Sequence, residues 1–187
     1  GDDEPMVDAA TFAARAREEI DYYRQQGDGF EARVELRDDL YTDILTSHGT
    51  LLVGGAVSVP QSAVAPYIHH EIGTHALTYH NGRAQPFQLL VIGLPGYDEL
   101  QEGLAVLSEY LGGGLSLTRL RWLAGRVLAV KALTEGATFV EVFRQLHRDC
   151  GFYQERAFSI TARVFRGGGL TKDAVYLRGL AHVLAHL

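Results

Sequence analysis

The chain has 187 residues, 47% of them hydrophobic, which is enough for one well-buried core and predicts a single domain over 1–187. Seventeen basic against 23 acidic side chains leave a net charge of −6, which argues against nucleic-acid and anionic-membrane binders. Cys150 is the one cysteine, so an internal disulfide and a cysteine-based zinc site are both excluded.

No apolar run approaches the roughly 20 residues of a membrane span. No signal peptide is read at the start, and a reducing, cytoplasmic setting is the expectation. The opening residues leave room for a longer parent chain, with residues 1–187 as a fragment of it.

In chain order, Val7 to Gln26 has helical spacing, with Phe12, Ala16, Ile20 and Tyr23 recurring every three or four residues. Gly27-Asp28-Gly29 stops it. Phe30 to Leu36 alternates apolar and polar and reads as a strand. Thr50 to Val59, rich in small and β-branched residues around Gly54-Gly55, reads as a second strand or a hairpin paired with the first. Pro60 closes it. Gln61 to Tyr79 is predicted as a helix ended by Asn81-Gly82, followed by a loop over 83–98. Asp98 is the expected N-cap of a helix from Glu99 to Leu111. Leu115 to Ala132, Ala137 to Asp149 and Gly151 to Phe165 also fit helices. Gly167-Gly168-Gly169 breaks the chain, and Thr171 is the expected cap of a last helix from Lys172 to Leu187. The predicted class is mainly α (α+β), with a small β-sheet or hairpin before the helix at 61–79.

That helix carries His70-Glu71-Ile72-Gly73-Thr74-His75. In the H-E-x-x-H signature of zinc hydrolases the two His lie at i and i+4, on one face of a regular helix. Here the second His comes one residue late. On a regular helix five steps would swing it roughly 140° from the first. A single π-type bulge absorbs one extra residue, and such bulges favour functional sites. Gly73, inside the motif, has the permissive backbone that eases the distortion.

A zinc hydrolase needs about three protein ligands and one open position. His70 and His75 supply two nitrogens, and Glu71 between them is placed to act as base toward an activated water. Glu99, Glu102 and Glu109 compete for the third position. Glu102 is favoured, because it opens the next helix beside Gly103, where another helix can approach closely. A two-His, one-carboxylate set also suits iron or manganese, and zinc is the default. His69 points roughly 100° from His70 and reads as a supporting or surface residue. His80 reads as a helix-end residue, and His182 with His186 as a terminal surface pair. Asp98 and Asp173 are candidates to orient a ligand imidazole through its second nitrogen.

The order of HEIGTH, then QEGLA at 101–105, then Arg166-Gly167-Gly168, Thr171-Lys172-Asp173 and Tyr176-Leu177-Arg178-Gly179 resembles one family. Its bacterial members are labelled QEGLA-motif or flavohaemoglobin-expression-modulating proteins. Its animal members are the microtubule-associated tyrosine carboxypeptidases, which remove the C-terminal tyrosine of α-tubulin. The resemblance covers roughly residues 60 to 187. It implies a zincin-like helical metallopeptidase, with His70, His75 and Glu102 matching the zinc ligands and Glu71 the catalytic glutamate.

A carboxypeptidase must recognise a terminal carboxylate. Arg163, Arg166 and Lys172 flank the glycine-rich turn and are the candidate substrate-binding residues. Tyr176 is the candidate that stabilises the oxyanion. Asn81 and Arg83 are weaker candidates. The leading reading is a zinc carboxypeptidase acting on a peptide or protein C-terminus. A zinc amidase on a small molecule and a non-catalytic, metal-containing regulatory protein are the competing ones.

Overall fold

A computed structural model describes residues 4–27, 29–40, 44–166 and 172–187. Its residues divide into two units, Gly1–Tyr97 with Leu104–Gly114 and Asp98–Gly103 with Leu115–Leu187. Helix dominates both, and the strands among the described residues fall in the first, so the chain is mainly α, of α+β type.

In the first unit β1 (Met6–Asp8) leads into α1 (Ala9–Gln26). The Asp8 carboxylate accepts a 2.8 Å hydrogen bond from the Thr11 N–H, one of the donors that a helix start leaves open. Phe12, Ala16 and Ile20 are buried and Tyr23 packs beside them, as their spacing requires. A three-stranded sheet has the order β2 (Arg33–Arg37), β4 (Thr50–Gly54), β3 (Ile44–Ser47). β2 runs parallel to β4, and β3 antiparallel. His48-Gly49 turns the β3–β4 hairpin with φ of 48° and 75°, the pair of positive angles that a two-residue turn of matching twist needs. β5 (Ser58–Pro60) pairs antiparallel with β1, Val7 opposite Val59.

Two strand expectations change. The segment expected to be a strand or a hairpin over 50–59 splits between two sheets, with β4 paired to β2 and β5 to β1. β3 was not anticipated, because all four of its residues are half-buried and carry no alternation. The strand expected from Phe30 begins at Arg33, and Phe30 and Ala32 are buried ahead of it.

Helix α2 (Gln61–His70), a π segment (Glu71–Ala76) and α3 (Leu77–Arg83) follow one another with helical backbone angles at both junctions. Val64, Ile68, Ile72 and Ala76 join the core of this unit with Leu51 and Val53 of β4. A single turn, α4 (Leu89–Ile92), interrupts the expected loop. α5 (Tyr97–Leu111) starts after Gly96, whose φ of 87° favours glycine. Asp98 is therefore not the cap. It lies with Glu99 in the first turn, where carboxylates meet the positive end of the helix dipole.

The second unit is helical: α6 (Leu117–Thr134), α7 (Phe139–Arg144) running into a second π segment (Gln145–Asp149), α8 (Gln154–Phe165) and α9 (Lys172–His186). Ser116 caps α6, and Thr138 with Glu141 forms a reciprocal capping box at α7. Val142, Leu146, Phe152, Ala157, Ile160 and Val164 form its core with Ala129 and Val130. Residues 98–103 of α5 cross α9 at two glycines. A Cβ on Gly179 would sit 2.0 Å from the Glu99 carbonyl oxygen, and one on Gly103 2.3 Å from the Gly179 carbonyl carbon. The close approach expected at Gly103 is thus made, and its partner is α9. Gly167-Gly168-Gly169 and Thr171 lie outside the described residues.

Candidate metal centre

The late His is accommodated by the backbone. Glu71–Ala76 is a π-helical turn, and the Leu77 N–H reaches the Ile72 carbonyl five residues back. The wider turn returns position i+5 to the face of position i. The His70 and His75 rings lie 4.9 Å apart between centroids, at 76° to one another. One donor atom each of His70, Glu71 and His75 lies within 4.8 Å of the others.

Neighbouring elements hold this turn. Thr46 of β3 donates a 3.1 Å hydrogen bond to the Glu71 carbonyl. Buried Thr74 donates to Ser108 of α5 at 3.4 Å. Gly73 faces α1, where an added Cβ would come 3.2 Å from the Tyr23 hydroxyl. Glycine there serves helix packing as well as the bulge.

Glu109 has a role that sequence reasoning had weighed only as a rival metal ligand. Its carboxylate is 1% exposed, and the 6%-exposed His70 donates from Nδ1 to Glu109 Oε1 at 2.7 Å. That bond fixes the orientation of the imidazole and, with Nδ1 as donor, makes Nε2 the acceptor nitrogen. A ligating His commonly donates its other ring nitrogen to a carboxylate in this way. The donor set of two nitrogens and carboxylate oxygen therefore fits a zinc ion. The orienting role considered for Asp98 or Asp173 is filled at His70 by Glu109, seven residues after Glu102 on α5.

The second unit brings other candidates together. Glu102 is 2% exposed, and Lys172 Nζ stands 3.2 Å from its Oε1. Burial, then the neighbouring Glu102, pushes the Tyr176 phenol above its ordinary range, so it keeps its proton at neutral pH. Arg163 donates from Nε to Asp173 Oδ1 at 2.6 Å. Burial pulls the Arg163 guanidinium down, but the hydrogen bond and charge of Asp173 outweigh it and hold it above its usual value. Arg166 is exposed at the end of α8. Glu99, the third carboxylate weighed as a ligand, pairs with Arg178 and His182 of α9. Asn81 and Arg83 lie on α3 in the first unit, and Arg83 approaches the Tyr79 ring.

Sequence reasoning passed over Arg126. Its signal was there: it falls three residues after Leu123 and four before Val130, inside the buried stripe of α6.

A family described as microtubule-associated tyrosine carboxypeptidase matches residues 1–187, the full chain. The human protein named Microtubule-associated tyrosine carboxypeptidase 1 is 28% identical over 183 residues, covering 88% of this chain and 37% of the relative. The chain thus spans well under half the length of that curated relative. No solved structure matches it significantly.

Proposed function

The chain belongs to the microtubule-associated tyrosine carboxypeptidase family, and we propose that it is a zinc-dependent metallopeptidase of the HExxxH type that removes a residue from a peptide or protein C-terminus. The observation that carries this is the convergence of His70, Glu71 and His75 on a π-helical turn. A regular helix would have parted the two imidazoles, and a turn stabilised from β3, α1 and α5 keeps them together.

His70 and His75 are the proposed nitrogen ligands. Glu102 is the third, on the strength of its place in the QEGLA motif. A bound zinc ion supplies Lewis acidity and lowers the pKa of water in its coordination sphere. Glu109 holds His70 in one tautomer. Glu71 takes the proton from the attacking water and returns it to the leaving amine as the peptide bond breaks. Tyr176, protonated at neutral pH, donates a hydrogen bond to the developing oxyanion. Arg163, Arg166 and Lys172 are the proposed carboxylate-binding set. A cytoplasmic setting belongs to the same proposal; among the described residues no helix is long and apolar enough to cross a membrane.

The test is a Glu71→Gln variant assayed on a peptide ending in tyrosine. It should keep its zinc, counted by metal analysis, while kcat falls about 10²- to 10⁴-fold. Full activity in that variant would sink the mechanism, and absence of zinc from the unaltered protein would sink the metal assignment.

A further inference from the structure

Helix α6 carries a charge on its buried side. The Arg126 side chain is 17% exposed, against buried Leu123 and Val130 on the same helix. Its guanidinium stands 5.6 Å from the Tyr176 ring centroid, and its one ion-pair partner among the described residues is Asp173 Oδ1 at 3.7 Å. That distance is too long for a hydrogen bond. The same oxygen already accepts the 2.6 Å bond from Arg163. Asp173 is itself 7% exposed, so a single sheltered carboxylate answers two guanidiniums, and its close contact goes to Arg163.

A guanidinium has five N–H donors and stays charged at neutral pH. Leaving one largely desolvated without a hydrogen-bonded counter-charge is costly. Burial first, then the charges of Arg163 and Arg119, bring Arg126 down to about 10. Such a surplus is resolved when a second anion enters. The other cations compare poorly. Lys172 is 58% exposed and already meets Glu102, and Arg166 is exposed at a helix end.

We infer that Arg126, with Arg163, receives the free terminal carboxylate of the peptide substrate. Arg126 offers the planar fork that grips a carboxylate in two hydrogen bonds, and the Arg163–Asp173 pair holds the second guanidinium beside it. This inference rests on the carboxypeptidase reading, and it changes the expected set by adding Arg126 and setting Arg166 aside.

Binding is measured by fluorescence anisotropy on zinc-loaded Glu71→Gln protein, with a labelled hexapeptide ending in tyrosine and the same peptide C-terminally amidated. Amidation should weaken binding about tenfold or more with Arg126 present, and less than about twofold in a Glu71→Gln/Arg126→Gln double variant. Arg126→Lys keeps the charge without the fork, folds in place of a glutamine variant that does not, and should show an intermediate penalty. An amidation penalty unchanged in both Arg126 variants overturns the inference, as does failure of the carboxylate peptide to bind. Wild-type protein assayed for cleavage of the same peptide separates the two readings. Cleavage with a penalty indifferent to Arg126 leaves the peptidase and removes the anchor. An Arg126-dependent preference without cleavage leaves the anchor and removes the peptidase.

Discussion

Glu109 shows how much one buried oxygen can control. With its carboxylate 1% exposed and 2.7 Å from His70 Nδ1, the pair fixes both the tautomer and the direction of the other ring nitrogen. Glu109→Ala removes the acceptor that orients His70. Zinc affinity, read by competition with a chromophoric chelator, should fall about 10- to 100-fold. Glu109→Gln keeps an acceptor without the charge and should fall between that variant and wild type. Equal affinity in all three proteins would reduce Glu109 to a packing residue. Arg126 follows the opposite logic, since its nearest counter-charge is already engaged elsewhere.

At the scale of elements, two departures from regular helix packing matter. The π turn converts an i, i+5 spacing into a shared face, and hydrogen bonds to Thr46 of β3 and Ser108 of α5 hold it, with Gly73 leaving room for Tyr23 of α1. The crossing of residues 98–103 with α9 depends instead on two missing side chains. Gly179→Ala would gain about 1 kcal/mol of helix propensity. Its methyl, 2.0 Å from the Glu99 carbonyl oxygen, would force backbone apart at a cost of about 1–3 kcal/mol or more. Packing should win, so urea unfolding is expected to show net destabilisation. A gain in stability would mean that the helices separate freely.

For the molecule as a whole, the Arg126 site sets function against stability. Arg126→Met removes a poorly compensated buried charge and keeps the Arg163–Asp173 bond. It should be neutral or stabilising by about 1 kcal/mol, a rise of a few degrees in Tm. The pH dependence has a definite sign. Arg126 titrates at about 10 when folded, below its ordinary value, so the unfolded chain holds that proton more tightly. Its penalty is complete below pH 10 and fades as pH climbs toward 12. The stability difference between variant and wild type should be flat from neutral pH to about 9 and shrink above 10. A wild-type protein more stable than Arg126→Met at pH 7 would contradict this account.

The sequence by itself determined the class, most helices and the spacing of His70, Glu71 and His75 in the HEIGTH motif. Apolar spacing marked α1 through Phe12, Ala16 and Ile20, and glycine or proline marked most boundaries, because periodicity and backbone freedom are local properties. HEIGTH declared its own bulge, since two imidazoles five residues apart share a face only on a wider turn. Tertiary structure decided what depends on meetings between distant segments. It decided that β3 exists, that α9 is the partner of Gly103, that Glu109 lies against His70 rather than acting alone, and that Asp173 is shared by two guanidiniums. Short-range pattern cannot carry such information, because hydrogen bonds and ion pairs act over a few ångströms of space while their partners here lie up to 79 positions apart along the chain.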